Sequence, residues 1–172
     1  EKERRETWRA LETLHLRGVA RFIGVSNFSE AHLDALLSDC RIPPQVNQCE
    51  LHPLFPQTAL RRYCNNKGVL FQGYAPLGSQ EGAPRLTADG SVAGIAERLG
   101  CAPAAVLLAW GMQRGDTVLV GSSNPDHLRA NRQSLDITLS ADDMAALDAL
   151  SSSIGGSSST GETKGSEGGV KF

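Results

Sequence analysis

The chain lacks the features that mark several specialised classes of protein. Its four cysteines form no Cys-x-x-Cys pair, which favours free thiols in a reducing compartment over a disulfide framework or a zinc site. No apolar run approaches the roughly 18 residues of a membrane span, and no signal peptide opens the sequence. A net charge of −2, with scattered lysines and arginines, offers no basic surface to nucleic acid. We therefore expect a cytoplasmic protein without a membrane or nucleic-acid partner.

Two common nucleotide-binding motifs are missing as well. No Gly-x-Gly-x-x-Gly follows a predicted strand, which removes the main sequence argument for a Rossmann domain. The segment from Gly156 to Thr163 has Walker A spacing, but Glu162 replaces the lysine that binds phosphate. A carboxylate at that position would repel phosphate, so we expect no P-loop.

What the sequence does contain is a regular alternation of strand and helix patterns. Helices are predicted over 1–16, 30–37, 57–65, 91–99 and 103–113, from Pro125 onwards, and from the N-cap Ser140 to about 150. Short apolar strands are predicted at 21–26, 45–50, 69–74 and 117–120. Residues 76–90, rich in Gly, Pro and Ser, are expected to form a functional loop. The alternation predicts an α/β fold with parallel strands and right-handed crossovers.

The chain divides into a globular part and a tail. A 40% hydrophobic composition supports one core, and we assign it to residues 1–150. Beyond Ser151 the composition changes to Ser, Gly, Thr, Glu and Lys. Residues 151–172 are therefore expected to be a disordered tail, since they offer too little apolar surface to offset the entropy of ordering.

Polar side chains stand where the first two strands end. Ser26, Asn27 and Gln48 offer short neutral hydrogen-bonding groups that suit a ligand carboxamide. Taken alone, Ser and Asn after a strand are more often a helix cap, and a buried Gln is commonly structural. Tyr74 ends the third strand and is either a platform for a flat ring or an ordinary interface aromatic.

Four segments resemble a known family, and this resemblance shifts the weight of these alternatives toward ligand binding. Phe22–Ser29, Val46–Pro53, Gly73–Ser79 and Val118–Asn131 occur in the order and spacing of the aldo-keto reductase family, which the chain resembles over about residues 7–150. The resemblance implies an α/β fold of the (β/α)8 TIM-barrel type. It identifies this chain as a C-terminal half-barrel, with about strands five to eight of the eight.

The resemblance also implies a site for a nicotinamide cofactor. Ser26, Asn27 and Gln48 would bind the carboxamide and Tyr74 would stack on the ring, while Leu77 and Ser79 would hold the pyrophosphate. The adenosine end would contact Ser122, Ser123 and Asn131. The resemblance to the family favours NADP(H) as the cofactor. NAD(H) stays possible, because Gly121, Ser122 and approximately His127 stand where one large branch carries a Lys and an Arg for the 2′-phosphate.

The family's reaction is NAD(P)H-dependent reduction of an aldehyde or ketone, in which a tyrosine is the general acid, assisted by a lysine, an aspartate and a histidine. None of these four is assigned here, since Tyr63 and Tyr74 lie in the wrong elements. No metal is expected either, because Glu50 and His52 are two ligands and do not make a site. We expect an oxidoreductase at family level that is inactive as this chain alone.

Three hypotheses about the chain follow. The first is a truncated part of an ordinary aldo-keto reductase, acting on a small-molecule carbonyl substrate that the sequence does not identify. The second is a non-catalytic half-barrel that binds a nucleotide or a partner, and the third is a degenerate remnant without a stable fold. In a half-barrel, the strands at 21–26 and 117–120 would be open edges prone to self-association. Side chains expected to face inward without an opposing layer are those of Ile23, Val25, Val46 and Leu119.

Overall fold

The computed structural model describes residues 2–79 and 82–152, in which strands alternate with helices. The strands are β1 (Gly24–Ser26), β2 (Val46–Glu50), β3 (Leu70–Tyr74) and β4 (Thr117–Val118). The helices are α1 (Lys2–Leu16), α2 (Glu30–Leu37), α3 (Thr58–Asn66), α4 (Ala83–Thr87), α5 (Gly90–Leu99), α6 (Pro103–Gln113), α7 (Pro125–Gln133) and α8 (Ala141–Ala149), with a 3-10 turn at Ser134–Asp136. The predicted tail after residue 152, with the segment from Gly156 to Thr163, lies outside the described residues.

The strands form one parallel sheet in the order β1-β2-β3-β4. Sequential order with helical connections is the arrangement that right-handed crossovers produce. Because the strands run in one direction, their carboxyl ends meet at one edge of the sheet. The prediction of a parallel α/β fold is confirmed.

Local signals placed several helices correctly. Helix α2 has its predicted bounds because Ser29 caps it: the Ser29 hydroxyl accepts from the His32 backbone N–H (3.3 Å), and the His32 ring accepts from the Ser29 N–H (3.4 Å). Helix α6 also has its predicted bounds, with Pro103 at its first position. Capping residues and a first-turn proline act within one turn, so their effect can be read without tertiary information.

The edge strands are shorter than predicted. Strand β1 begins at Gly24 rather than Arg21, and β4 ends at Val118 rather than Val120. Just before β1, the Ile23 backbone N–H donates to the side-chain oxygen of Gln45 (2.7 Å) instead of to a neighbouring backbone carbonyl. The Ile23 N–H is therefore paired by a side chain and does not continue the backbone hydrogen bonds between β1 and β2.

The predicted loop at 76–90 contains a short helix. Helix α4 spans Ala83–Thr87, and Leu86 is fully buried against the main core. Pro84 occupies its first turn, where a proline is compatible with a helix. Proline and glycine predict a loop here from local sequence alone, whereas the helix is stabilised by the contact of Leu86 with the core.

The two faces of the sheet have different environments. Asn47, Cys49 and Phe71 are buried on the face toward the helices, where α6 packs so closely that a Cβ on Gly111 would lie 2.8 Å from Val118 Cγ2. The residues that alternate with them on the opposite face are half-buried or exposed. This alternation gives the sheet one packed face and one open face, which is named the open face below. Its members include Ser26, Val46, Gln48, Glu50, Leu70, Gln72, Tyr74 and Thr117.

One expectation about this face was wrong. Ile23 and Val25 were expected to point inward, but Ile23 is 5% exposed and both pack in the small cluster around Trp8 and Leu36. Because side chains alternate along a strand, Gly24 and Ser26 take the open face instead. Val46 lies on the open face, as expected, and Leu119, directly after β4, is exposed.

The core is anchored by two tryptophans with satisfied indole N–H groups. Trp110 of α6 donates to Asp148 (2.8 Å), and Trp8 of α1 donates to the Ile42 carbonyl (3.1 Å).

In the described part of the chain, no single helix is long and apolar enough to cross a membrane. The bent pair α5 and α6 meets that requirement of length and composition only when the two helices are taken together.

Candidate functional site

The carboxyl ends of β1, β2 and β3 bring Ser26, Gln48 and Gln72 to the same level of the open face. The Ser26 hydroxyl donates to the Gln48 carbonyl (2.9 Å), and the Gln48 side-chain amide donates to Gln72 Oε1 (2.8 Å). Two hydrogen bonds therefore connect three neighbouring strands. The result is a row of neutral polar groups that includes two of the predicted site residues and one, Gln72, that sequence reasoning missed.

Asn27 follows β1 in the left-handed region, with φ 58°. Its backbone N–H donates to the Gln48 carbonyl (2.9 Å), and its side-chain oxygen accepts from the Tyr74 hydroxyl (3.2 Å). A non-glycine residue in this conformation is uncommon, although asparagine tolerates it best. The turn therefore carries the Asn27 side chain across the sheet edge to β3.

A buried amide on the packed face supports this turn. Asn47 is fully buried; its Oδ1 accepts from the Phe28 N–H (3.2 Å) and its Nδ2 donates to the Phe28 carbonyl (2.9 Å). Both polar groups of Phe28 are thus paired by one side chain, which holds the segment next to Asn27. The sequence analysis did not single out Asn47, because an amide within an apolar strand gives no signal of which backbone it pairs.

The loop after β3 carries Leu77 and Ser79. Gly78 between them has φ 89°, and a Cβ there would lie 2.7 Å from the Gly82 carbonyl carbon. The Ser79 carbonyl accepts from the backbone N–H groups of Gly82 and Ala83 (2.9 Å each), while Leu77 packs against the core. Glycine is required at position 78, so that the loop turns back tightly with Ser79 exposed at its surface.

The loop after β4 leads into α7 through local hydrogen bonds. The Ser122 hydroxyl accepts from the Asn124 N–H (3.1 Å), and Asn124 caps α7 by accepting from the Asp126 N–H (2.9 Å). Ser123 is exposed, and Asn131 is half-buried on α7. The structure thus places Ser122, Ser123 and Asn131 on one loop and helix, as a group separate in sequence from the row on β1 to β3.

Glu50 and His52 lie at the end of β2. His52 Nε2 is 3.2 Å from Glu50 Oε1, and burial lowers the pKa of His52 although the hydrogen bond and the charge of Glu50 oppose that shift. His52 also forms an isolated bridge with Phe55. Among the described residues, no group of three or more His, Cys, Asp or Glu side chains is arranged to hold a metal ion.

The fold defines the class first: an α/β protein whose polar side chains gather at the carboxyl edge of a parallel sheet, the edge at which α/β barrels bind their ligands. A sequence model described as the Aldo/keto reductase family matches residues 1–152. The chain belongs to the aldo/keto reductase family, which confirms the resemblance seen in its sequence.

Individual relatives agree with this family. Over 149 residues the chain is 44% identical to an aldo/keto reductase of Synechocystis sp., covering 82% of this chain and 46% of that protein. Over 129 residues it is 42% identical to the glycerol 2-dehydrogenase (NADP(+)) of Hypocrea jecorina, covering 73% and 41%. The crystal structure of a Gox0644 mutant in complex with NADPH has a TM-score of 0.79 and 37% identity, covering 84% of this chain and 52% of that one. The chain spans about half the length of the curated relatives that it matches.

Proposed function

We propose that the carboxyl edge of the sheet binds the nicotinamide of NADP(H). The observation that carries the proposal is the hydrogen-bonded arrangement of Ser26, Asn27, Gln48 and Tyr74 on three adjacent strands. A carboxamide presents one acceptor and one two-donor group, and the hydroxyl and amide side chains at this edge supply partners for both. Two of the similar proteins support this cofactor, one by the NADP(+) in its name and one by its complex with NADPH.

The remaining residues fit the other parts of a dinucleotide. The turn at Leu77 and Ser79, kept compact by Gly78, is proposed to hold the pyrophosphate through the exposed Ser79 and nearby backbone groups. Ser122, Ser123 and Asn131 are proposed to contact the adenosine end. Tyr74 is proposed to stack on the nicotinamide, with its hydroxyl held by Asn27 (3.2 Å) so that the ring has a fixed orientation.

The reaction we propose for the whole enzyme is reduction of an aldehyde or ketone, for which a bound NADPH supplies the hydride. The residues of this chain would bind and orient the cofactor, and none of them is assigned to proton transfer. We further propose that residues 1–150 are one domain, that its strands are strands five to eight of an eight-stranded barrel, and that the chain alone is inactive. Parallel strands in sequential order, one packed face and a match to about half of each relative support this assignment.

Binding is the direct test. Gln48→Ala should weaken NADPH binding by about 0.5–1.5 kcal/mol, because one hydrogen bond to the carboxamide and the link to Gln72 are lost. Asn66→Ala is the matched control: Asn66 is an exposed amide at the end of α3, near the opposite edge of the sheet. Calorimetric titration of the wild-type chain and both variants gives the comparison. Equal affinities in all three, or no binding of NADPH to the wild-type chain, would contradict the proposed site.

The choice between NADPH and NADH should depend on position 122. We expect the wild-type chain to favour NADPH modestly, and Ser122→Lys to shift the preference further toward NADPH by about 1–2 kcal/mol, because an ammonium would form a charge-assisted contact with the 2′-phosphate. Thr138→Lys adds the same charge at another exposed residue and should leave the ratio of the two dissociation constants unchanged. If both lysine variants change the ratio equally, the effect is general electrostatics and the assignment of Ser122 is wrong.

A further inference from the structure

Gln72 is the one member of the polar row to which the proposed function gives no role. It lies two residues before Tyr74 on β3, directly beside Gln48 in the parallel register. Its Oε1 accepts the hydrogen bond from Gln48 Nε2 (2.8 Å). On the other side it is in register with the exposed Thr117 of β4.

This hydrogen bond fixes which way the Gln48 amide faces. A glutamine amide carries an acceptor and a donor on the same carbon, and rotation about its last torsion exchanges them. With Nε2 donating to Gln72 on β3, Oε1 is the atom of the Gln48 amide that remains to accept a hydrogen bond from a ligand. Gln48 is in register with Ser26 on β1, and its carbonyl accepts from the Asn27 N–H, so this acceptor lies among the groups proposed to bind the carboxamide.

An apolar residue would serve at position 72 if the only requirement were packing. One level lower on the same face, the neighbouring positions on β2 and β3 are Val46 and Leu70. Replacing an apolar side chain by an amide on a half-buried face is favourable only where the amide finds a partner. The partner that Gln72 has is the amide of Gln48.

We propose that Gln72 is a positioning residue that makes the site selective for pyridine nucleotides with a 3-carboxamide. It holds Gln48 Oε1 as an acceptor for the carboxamide N–H of the ligand. This inference rests on the proposed function. A cofactor analogue with a 3-acetyl group keeps the carbonyl but has no N–H to donate, so it loses this hydrogen bond.

The test compares ligands that differ only at this group. Three probes are titrated calorimetrically: NADPH, reduced 3-acetylpyridine adenine dinucleotide phosphate, and 2′-phospho-ADP-ribose, which has no pyridine ring. The wild-type chain should bind NADPH about 3- to 10-fold more tightly than the acetyl analogue, the ratio that one hydrogen bond provides. Gln72→Met, of similar length but without a strong acceptor, should reduce that ratio to about 2-fold or less. Gln72→Glu, whose carboxylate still accepts from Gln48 Nε2, should keep it.

The outcomes separate the two proposals. Binding of 2′-phospho-ADP-ribose should be the same in all three proteins, which shows that the fold is intact. If Gln72→Met no longer binds 2′-phospho-ADP-ribose, its fold is disturbed and a second variant is used. Gln72→Thr, whose side chain is too short to reach Gln48, should also reduce the ratio between NADPH and the acetyl analogue to about 2-fold or less. The role of Gln72 is overturned if the wild-type chain binds NADPH and the acetyl analogue equally well, or if Gln72→Met keeps the full ratio between them. Either result leaves the proposed cofactor site unaffected. A wild-type chain that binds none of the three probes overturns the proposed function itself.

Discussion

The 172-residue chain is expected to oxidise NADPH with aldehydes or ketones no faster than the uncatalysed background. The site that we propose for the cofactor contains hydroxyl and amide side chains, and we assign none of the described side chains there to proton transfer. A missing general acid alone costs about 10²- to 10⁴-fold in rate. The chain should therefore bind the cofactor without turning over substrate.

The hydroxyl groups of both tyrosines already donate hydrogen bonds to other side chains. The Tyr63 hydroxyl on α3 donates to Asp34 of α2, which raises the pKa of Tyr63 to about 12, and Lys67 Nζ lies 3.6 Å from the same carboxylate. This Tyr, Asp and Lys group lies between two helices, whereas the polar row lies on the open face of the sheet. The Tyr74 hydroxyl is at the site, but it donates to Asn27. Each hydroxyl therefore already uses its proton in a hydrogen bond within the chain, and we assign neither to proton transfer.

The measurement is NADPH and NADH oxidation with a nitrobenzaldehyde and a ketone, at chain concentrations at which cofactor binding is saturated. A complete relative, such as the aldo/keto reductase of Synechocystis sp., assayed under the same conditions, is the positive control. Turnover of the chain alone near the level of a complete relative would refute the expectation. Tyr63→Phe and Tyr74→Phe would then identify which hydroxyl supplies the proton.

The parts of the fold that the sequence predicted are those with local causes. The start of α2 depends on Ser29 and the start of α6 on Pro103, and each effect acts within a few residues of its own position. The ends of β1 and β4 depend on which backbone groups find partners on other strands. Ile23 shows this dependence, because its N–H is paired by the Gln45 side chain, and no sequence pattern states that pairing.

The candidate site likewise contains residues that the sequence predicted and residues that it did not. Ser26, Asn27, Gln48 and Tyr74 were predicted from residues at strand ends and from the family resemblance, and the structure brings them together at one edge. Gln72 was missed although it lies two residues before Tyr74 on the same face; strand alternation could have identified it once the open face was known. The orientation of Ile23 was misjudged because a continuous apolar run does not show which side chains face the helices.

The largest structural effect is expected at the edges of the sheet. Strands β1 and β4 are the outer strands of the described sheet, three and two residues long. Apolar side chains at these strands and on the open face are strongly exposed: Phe22 (72%), Leu70 (48%), Leu119 (39%) and Val120 (37%). Burying an aliphatic or aromatic side chain is worth about 1.5–3 kcal/mol, so several together rival the 5–15 kcal/mol of a typical domain. Unpaired strand edges beside such side chains favour association with another chain.

We therefore expect the purified chain to self-associate or to stay loosely packed, and not to behave as a compact 18.3 kDa monomer. Size-exclusion chromatography with light scattering over a range of concentrations measures the mass, and a thermal melt measures cooperativity. Lysines at both edges, Phe22→Lys with Val120→Lys, should lower the associated fraction, because charge on an edge strand opposes pairing. Leu135→Lys changes a side chain that is 59% exposed on the 3-10 turn after α7 and should have no such effect. A soluble wild-type monomer with a sharp cooperative transition would show that this sheet is stable without a partner, and the assignment to half of a closed barrel would have to be abandoned.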